Sequence, residues 1–226
     1  MGDYRQFKSL STKGVPVPDT DNHKNPFGIQ FFMSFDQQKR DNLKRLDKSI
    51  KKSIDERIRG IVEFLNSLPA YFTTSSCSGR VMLLERKKSW KKDSRFVYRE
   101  HEKADLGGLK KNITDLPRGD IIFKMESAIL HVCCRTVEDA QKLLQAVRDV
   151  GLKRTGIINI GRRVAVEILG TEFLEAPVVI GGKAVASDEY LNILIKEANK
   201  RLEQNHKRLI ALEEALKRRL LARGEK

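Results

Sequence analysis

Tyr71-Phe72-Thr73-Thr74-Ser75-Ser76-Cys77-Ser78-Gly79-Arg80-Val81-Met82-Leu83-Leu84 is the stretch on which the fold turns. Tyr71 to Thr74 and Val81 to Leu84 read as strands, being aromatic, β-branched or aliphatic. Thr73 to Arg80 packs five hydroxyl side chains, a thiol, a glycine and an arginine into eight positions. Gly79 permits a positive φ or a close backbone approach. The amides and hydroxyls are suited to donate to an anion, and Arg80 to grip a carboxylate or phosphate with paired bonds. The same residues equally fit a plain Ser/Gly hairpin joining the two strands, with Cys77 a packed thiol. As a nucleophile Cys77 would need a depressed pKa, and only Arg80 nearby favours one.

Upstream, residues 1–33 are rich in Pro, Asp, Asn, Lys and Gly without a sustained period, and read as an extended or disordered arm. Ser34 and Gln37 have the spacing of a capping box. Leu43, Leu46, Ile50, Ile54, Ile58, Ile61 and Leu65 then recur every three or four residues, predicting one long amphipathic helix to about residue 66. Its other face is basic, from Lys39 and Arg40 through Lys51 and Lys52 to Arg57 and Arg59. Such a face suits a solvated helix or an RNA-facing stripe.

Downstream, a basic stretch (85–95) leads into a strand at Phe96-Val97-Tyr98, and 102–119 reads as a loop with a helical turn. Ile121–Met125 and Ile129–Cys134 are predicted strands, Val137–Val150 a helix with Gly151 at its C′ position, and Gly156–Ile160 with Arg163–Leu169 a strand pair. A loop around Gly181-Gly182 precedes a helix over 188–223. Its seam of Ile195, Ala198, Leu202, Asn205, Leu209, Leu212 and Leu216 is close to heptad spacing. The seam suits packing on the first helix, or pairing with a second chain. The order of elements, without βαβ repeats, predicts an α+β fold: a mixed or antiparallel sheet core packed with long helices, not a Rossmann fold. Three segments are expected: the arm at 1–33, an α+β domain at 34–183 and a C-terminal long helix at 184–226.

The 226 residues carry 44 Lys and Arg against 30 Asp and Glu, a net charge of +14 with a pI of about 9.8. That excess draws a protein to polyphosphates such as RNA. No window approaches the ~20 apolar residues of a membrane span. The N-terminal residues lack the apolar run of a secretory signal, and three cysteines make no disulfide framework, so the cytoplasm is expected.

Common enzyme signatures are missing: no phosphate-binding loop, dinucleotide fingerprint, nucleophile elbow or zinc-protease helix occurs. No metal is expected, because Cys133 and Cys134 point to opposite faces of a strand and a His/Cys site would need long-range assembly. Of four histidines, His23 and His206 read as surface residues. His131, in an apolar strand, fits a satisfied structural residue. His101, at a strand end beside charged residues, is better placed for acid/base work. Arg162 and Arg163 at a turn suit a phosphate clamp.

Several blocks resemble one family. They are Leu46-Asp47-Lys48-Ser49 with Ser53-Ile54-Asp55-Glu56, then Tyr71 to Arg80, then Phe123-Lys124-Met125-Glu126. Ile129-Leu130-His131-Val132 with Cys134-Arg135, Asp139-Ala140, Gly156-Ile157 and Glu175 with Pro177 follow in order. Together they resemble the tRNA wybutosine-synthesizing protein 3 family over about residues 35–180. The resemblance implies a methyltransferase using S-adenosylmethionine, methylating N4 of the tricyclic wyosine-type base beside the anticodon of phenylalanine tRNA. It implies that these blocks line a shared cleft, in which Ser75, Ser76, Cys77, Ser78, Gly79, Arg80, His131 and Arg135 are expected to hold the cofactor; His101, singled out by its place at a strand end, is expected to be catalytic with Ser76 and Arg80. Ser49, Lys51, Ser53, Lys124, Arg162 and Arg163 would hold the anticodon stem-loop, and Trp90, Phe96 or Tyr98 would stack on the base. The protein would act as a monomer or a weak dimer through the C-terminal helix. A non-catalytic RNA-binding module using the same basic face and Ser/Cys/Gly turn is the rival reading; a coiled-coil assembly protein built on 188–223 is a third.

Overall fold

The computed structural model describes residues 33–44, 53–86, 94–111, 119–161 and 163–221. Five helices and nine strands follow one another as α1 (Phe35–Leu43), α2 (Glu56–Ser67), β1 (Tyr71–Cys77), β2 (Arg80–Arg86), β3 (Arg95–Glu100), α3 (Leu106–Lys111), β4 (Asp120–Glu126), β5 (Ile129–Cys134), α4 (Val137–Asp149), β6 (Arg154–Ile160), β7 (Val164–Leu169), β8 (Phe173–Ile180), β9 (Lys183–Ala184) and α5 (Asp188–Leu221). They build two antiparallel sheets, β1-β5-β7-β6 and β3-β2-β4-β8-β9. The α+β class is as expected.

The hairpin reading of Thr73–Arg80 is overturned. β1 pairs with β5, while β2 pairs with β3 and β4, so Ser78 and Gly79 carry the chain from one sheet to the other. The same passage occurs between β4 and β5 at Ser127-Ala128, and between β7 and β8 at Gly170 to Glu172. Three crossings stack side by side, because Gly170 N donates to Ala128 O at 2.9 Å and the Ser127 hydroxyl donates to Glu172 O.

Helix α5 serves both sheets. Leu191, Leu194, Ile195, Ala198 and Leu202 join Val81, Leu83, Phe123 and Met125 in one core. Leu209, Leu212 and Leu216 join Ile58, Leu65, Leu130, Val166 and Leu143 in the other, with α2 and α4. The heptad seam is thus buried within the chain, and each fully buried leucine contributes roughly 1.5–3 kcal/mol. Asn205, between the two halves and 3% exposed, lies at the crossings.

The single long first helix does not form as expected. Leu46 and Ile50 lie outside the described residues, and Ser53 to Asp55 are non-helical, with Asp55 extended at φ −58°, ψ 134°. Its α1 portion carries no buried residue, and Leu43 is exposed. Polar and aromatic contacts anchor α1 instead: the Phe35 and Phe72 ring centroids are 5.2 Å apart, and Asn42 Nδ2 donates to Thr73 O at 2.6 Å. Ser34 does cap α1, its hydroxyl accepting Gln37 N at 3.2 Å. β8 has no counterpart in the sequence reading. It contains Pro177, which cannot donate to a ladder, and the register with β4 shifts beside it.

Candidate active site at the strand crossing

β1 carries a bulge between Thr73 and Ser75 that places Ser75, not Thr74, opposite His131. Two helix amides satisfy the backbone that the bulge frees. Thr73 N donates to Asn66 Oδ1 at 2.8 Å, and Thr73 O accepts from Asn42. The consequence is a hydrogen-bonded row across three strands: Ser75 Oγ lies 2.6 Å from His131 Nδ1, and His131 Nε2 lies 2.9 Å from Glu167 Oε2. Ser75 is exposed, while His131 and Glu167 are part-buried. His131 is therefore satisfied, as expected of a strand histidine, and also open to a ligand through Ser75.

At the crossing itself the polar groups turn inward. Ser78 is fully buried, and its amide and hydroxyl donate to Asp55 Oδ2 at 3.0 and 3.2 Å. Its carbonyl accepts from Asn205 Nδ2 at 2.7 Å, and Asn205 Oδ1 accepts Ala128 N at 2.8 Å. Ser78 is thus a structural group, not the ligand-facing hydroxyl expected of it, because burial leaves its donors only Asp55. Gly79 has φ +96°, and a Cβ there would come within 2.8 Å of Asn205 Nδ2 and 3.0 Å of Glu126 O. Its backbone approaches α5 and β4.

His101 Nδ1 lies 2.9 Å from Gly79 O and 3.2 Å from Asp55 Oδ2, with both side chains 13% exposed. Cys77 Sγ is 4.0 Å from the same nitrogen. Burial pushes the Cys77 thiol pKa up, outweighing the Gly79 hydrogen bond and the Arg80 charge, which argues against a nucleophilic thiolate. The fold does make the long-range assembly that a metal would require: one ligand atom each of Asp55, Cys77 and His101 lies within 4.8 Å of the others. Asp55 and His101 are already hydrogen-bonded to the crossing.

On the neighbouring sheet, Arg80, Glu126 and Phe173 share one lateral row. Arg80 Nη2 pairs with Glu126 at 3.0 Å, and its guanidinium lies 4.9 Å from the Phe96 ring centroid. Arg99 covers the same ring at 5.6 Å. Phe96 is 45% exposed, whereas Tyr98 is partly buried against the core, where burial raises its pKa. Lys124 continues the charged ladder, 3.3 Å from Glu126 and 3.4 Å from Glu175. Arg80 Nε is buried without a hydrogen-bond partner among the described residues.

The structure therefore brings Ser75, Cys77, Gly79, Arg80, His101 and His131 to one crossing, with Ser76 half-buried opposite Leu130. It does not bring Arg135, which clamps α1 to the sheet by donating to Asp36 at 3.1 Å and Pro69 O at 2.9 Å. Arg163 is exposed at the β6–β7 turn and Ser53 is exposed ahead of α2. Ser49, Lys51, Arg162, Trp90 and most of the basic stretch lie outside the described residues. Of the basic helix face, Arg57 pairs with Glu102 at 2.9 Å, Arg59 with Glu56 at 2.9 Å, and Lys39 donates to Leu68 O. His206 is half-buried rather than on the surface, and desolvation lowers its pKa.

Asp55, Glu126, Glu167, Asn66 and Asn205 were not singled out as site residues by sequence reasoning. Asp55 and Glu126 stand inside blocks that carried the family resemblance, and Asn205 is the polar break in an apolar seam. Glu167 has only strand alternation to mark it. Among the described residues no helix is long and apolar enough to cross a membrane.

Residues 37–218 match the family described as Methyltransferase TYW3. The tRNA wybutosine-synthesizing protein 3 homolog of Danio rerio is 34% identical over 203 residues, covering 85% of this chain and 78% of its own. A Methanocaldococcus jannaschii protein named tRNA(Phe) 7-((3-amino-3-carboxypropyl)-4-demethylwyosine(37)-N(4))-methyltransferase is 34% identical over 176 residues, covering 76% of this chain and 91% of its own. A solved structure from Pyrococcus horikoshii superposes with a TM-score of 0.74 at 31% identity, over 80% of this chain and 95% of that one. The family match runs from within α1 to within α5 and takes in both sheets and all three crossings, so the chain belongs to the Methyltransferase TYW3 family.

Proposed function

We propose that this chain methylates N4 of the tricyclic wyosine-type base beside the anticodon of phenylalanine tRNA, with S-adenosylmethionine as donor. The observation that carries the reading is the family match, whose span holds every residue of the crossing, together with the reaction in the name of the Methanocaldococcus jannaschii relative. S-adenosylmethionine, when bound, supplies an electrophilic methyl group on a sulfonium centre.

The residues fit such a donor. Arg80 Nε is a buried donor in want of an acceptor, as the carboxylate of an amino acid would provide. Glu126 offers negative charge beside it, and the neighbouring Phe96 ring, flanked by two guanidiniums, suits stacking of the tricyclic tRNA base. Methyl transfer is an in-line displacement, so these residues act mainly by positioning. Asp55, Ser78 and Asn205 fix the crossing, and His101 is held against it. The tRNA backbone is drawn by the +14 charge, with Lys124, Arg163 and Arg99 beside Phe96 on the approach. The buried α5 seam supports action as a monomer, and three free thiols support a reducing, cytoplasmic setting.

A non-catalytic RNA-binding module accounts for the charge but gives no use to the unpaired Arg80 Nε or to the Ser75–His131–Glu167 row. The test is mass spectrometry of phenylalanine tRNA from a strain lacking this chain. The tricyclic base should be lighter by one methyl group; an unchanged base overturns the reading.

A further inference from the structure

The geometry points to Ser75, His131 and Glu167 as a proton relay in which the Ser75 hydroxyl takes the proton from N4 as the methyl group arrives. This rests on the proposed methyl transfer and adds to it the group that removes the proton.

An N4 that gains a methyl group and ends neutral must lose a proton. The N4–CH3 bond forms as the S–CH3 bond breaks, and the sulfur keeps the electron pair to leave as a neutral thioether. The N4 proton passes to Ser75 Oγ while the Ser75 proton passes to His131 Nδ1. The imidazolium so formed is held by the Glu167 carboxylate. No further reactant is required.

Distances and exposure favour this row over His101. Ser75 Oγ to His131 Nδ1 is 2.6 Å and His131 Nε2 to Glu167 Oε2 is 2.9 Å. With Nε2–H donating to the carboxylate, Nδ1 is the bare nitrogen and accepts from Ser75; the partners fix the tautomer. The row opens to solvent at Ser75, whereas His101 is only 13% exposed and its Nδ1 is tied to Gly79 O and Asp55. The β1 bulge exists at this point alone on the strand, and it is what sets Ser75 opposite His131.

The surroundings leave His131 to Glu167. Adjacent rows on the sheet are Ile129, Leu169 and Arg154 on one side and Cys133, Ala165 and Asn159 on the other. Burial keeps the Cys133 thiol pKa high against the opposing charge of Arg163, and Cys77 lies opposite Ile129 with its own pKa raised. Of the charged residues on α1, which packs on β1, Asp36 is engaged by Arg135 and Lys39 by Leu68 O.

The experiment compares wild type with His131→Gln and Ser75→Ala, using phenylalanine tRNA that carries the unmethylated tricyclic base. His131→Gln should lower kcat by roughly 100- to 10,000-fold, the usual worth of a positioned base. Its KM for S-adenosylmethionine should stay within about twofold, and the acid limb of the wild-type pH–rate profile should disappear. A second readout needs no turnover: nitrogen NMR of the free protein should show neutral His131 protonated on Nε2. Near-wild-type kcat with the acid limb intact, a loss confined to KM, or a proton on Nδ1 would each overturn the relay. Should His131→Gln fail to fold, Ser75→Ala carries the same kinetic test. A wild type that transfers no methyl group contradicts the proposed function itself, which separates the two failures.

Discussion

Asp55 stands at the N-cap position of α2, yet its carboxylate caps the strand crossing at Ser78, 23 residues away, and not its own helix. One oxygen accepts both the amide and the hydroxyl of Ser78 and lies 3.2 Å from His101. An acceptor shared by buried donors is costly to remove. Asp55→Ala leaves the Ser78 donors unpaired, so unfolding free energy should fall by about 2–4 kcal/mol, a urea midpoint being the measurement. Asp55→Asn, which keeps an oxygen, should lose less. Equal stability of both variants and wild type would remove Asp55 from the account.

Asn205 sits where an ideal seam would have leucine. Asn205→Leu would add apolar burial worth roughly 1.5–3 kcal/mol. It would also strand Ser78 O and Ala128 N, at about 1–3 kcal/mol each, so the net effect should be destabilising. A variant more stable than wild type would contradict that balance.

Gly79→Ala should cost about 1–3 kcal/mol through the positive φ alone, and more through the Cβ contact with Asn205. In Asn205→Ala the contact is relieved but the φ penalty stays. A double-mutant cycle should therefore show Gly79→Ala costing less in that background. Strict additivity would mean that the two residues do not touch.

His206 has a folded pKa below its ordinary 6.5, owing first to burial and then to Arg57, with Glu102 opposing and His101 adding to the depression. Below pH 6.5 the unfolded chain binds the proton more readily than the folded one, so stability falls as pH drops from 6.5 toward the folded value. Carboxylates whose pKa is lowered, such as Asp36 and Glu203, lose their contribution only at lower pH. Urea midpoints at pH 7.5 and 5.5 should show a decline in wild type that is smaller in His206→Gln. An identical decline in both would exclude His206 as its source.

Phe96 and Arg80 should separate binding from chemistry. Phe96→Ala removes the exposed ring that two arginines cover and on which the base is proposed to stack, and tRNA affinity should fall by roughly 5- to 150-fold. Arg80→Ala should abolish methyl transfer while tRNA affinity, read by filter binding, changes little. Full activity of both variants would remove this face from the site.

What was legible in the sequence was local. α4 with Gly151 at φ +81°, the strand pair β6–β7, and the strands β4 and β5 follow from periodicity and turn residues within a few positions. Which strands pair is a non-local matter, and Ser78-Gly79 looks the same in a hairpin as in a passage between sheets. Ser53 to Asp55 are non-helical, and Asp55 accepts from Ser78 and lies beside His101, a long-range pairing that no apolar spacing can show. β8 is masked by Pro177. In the site, Ser75 to Arg80, His101 and His131 were marked by their chemistry, but their acidic partners were not, since Glu126 and Glu167 are ordinary strand residues until the register is known.

The most direct measurement of the central claim is in vitro. Purified full-length chain is incubated with labelled S-adenosylmethionine and phenylalanine tRNA bearing the unmethylated tricyclic base, and the nucleosides are then resolved. Label recovered on N4 of that base, and none on tRNA bearing plain guanosine at the same position, is the result expected. Tight binding of both ligands with no label transferred, or label on another nucleoside, would contradict it.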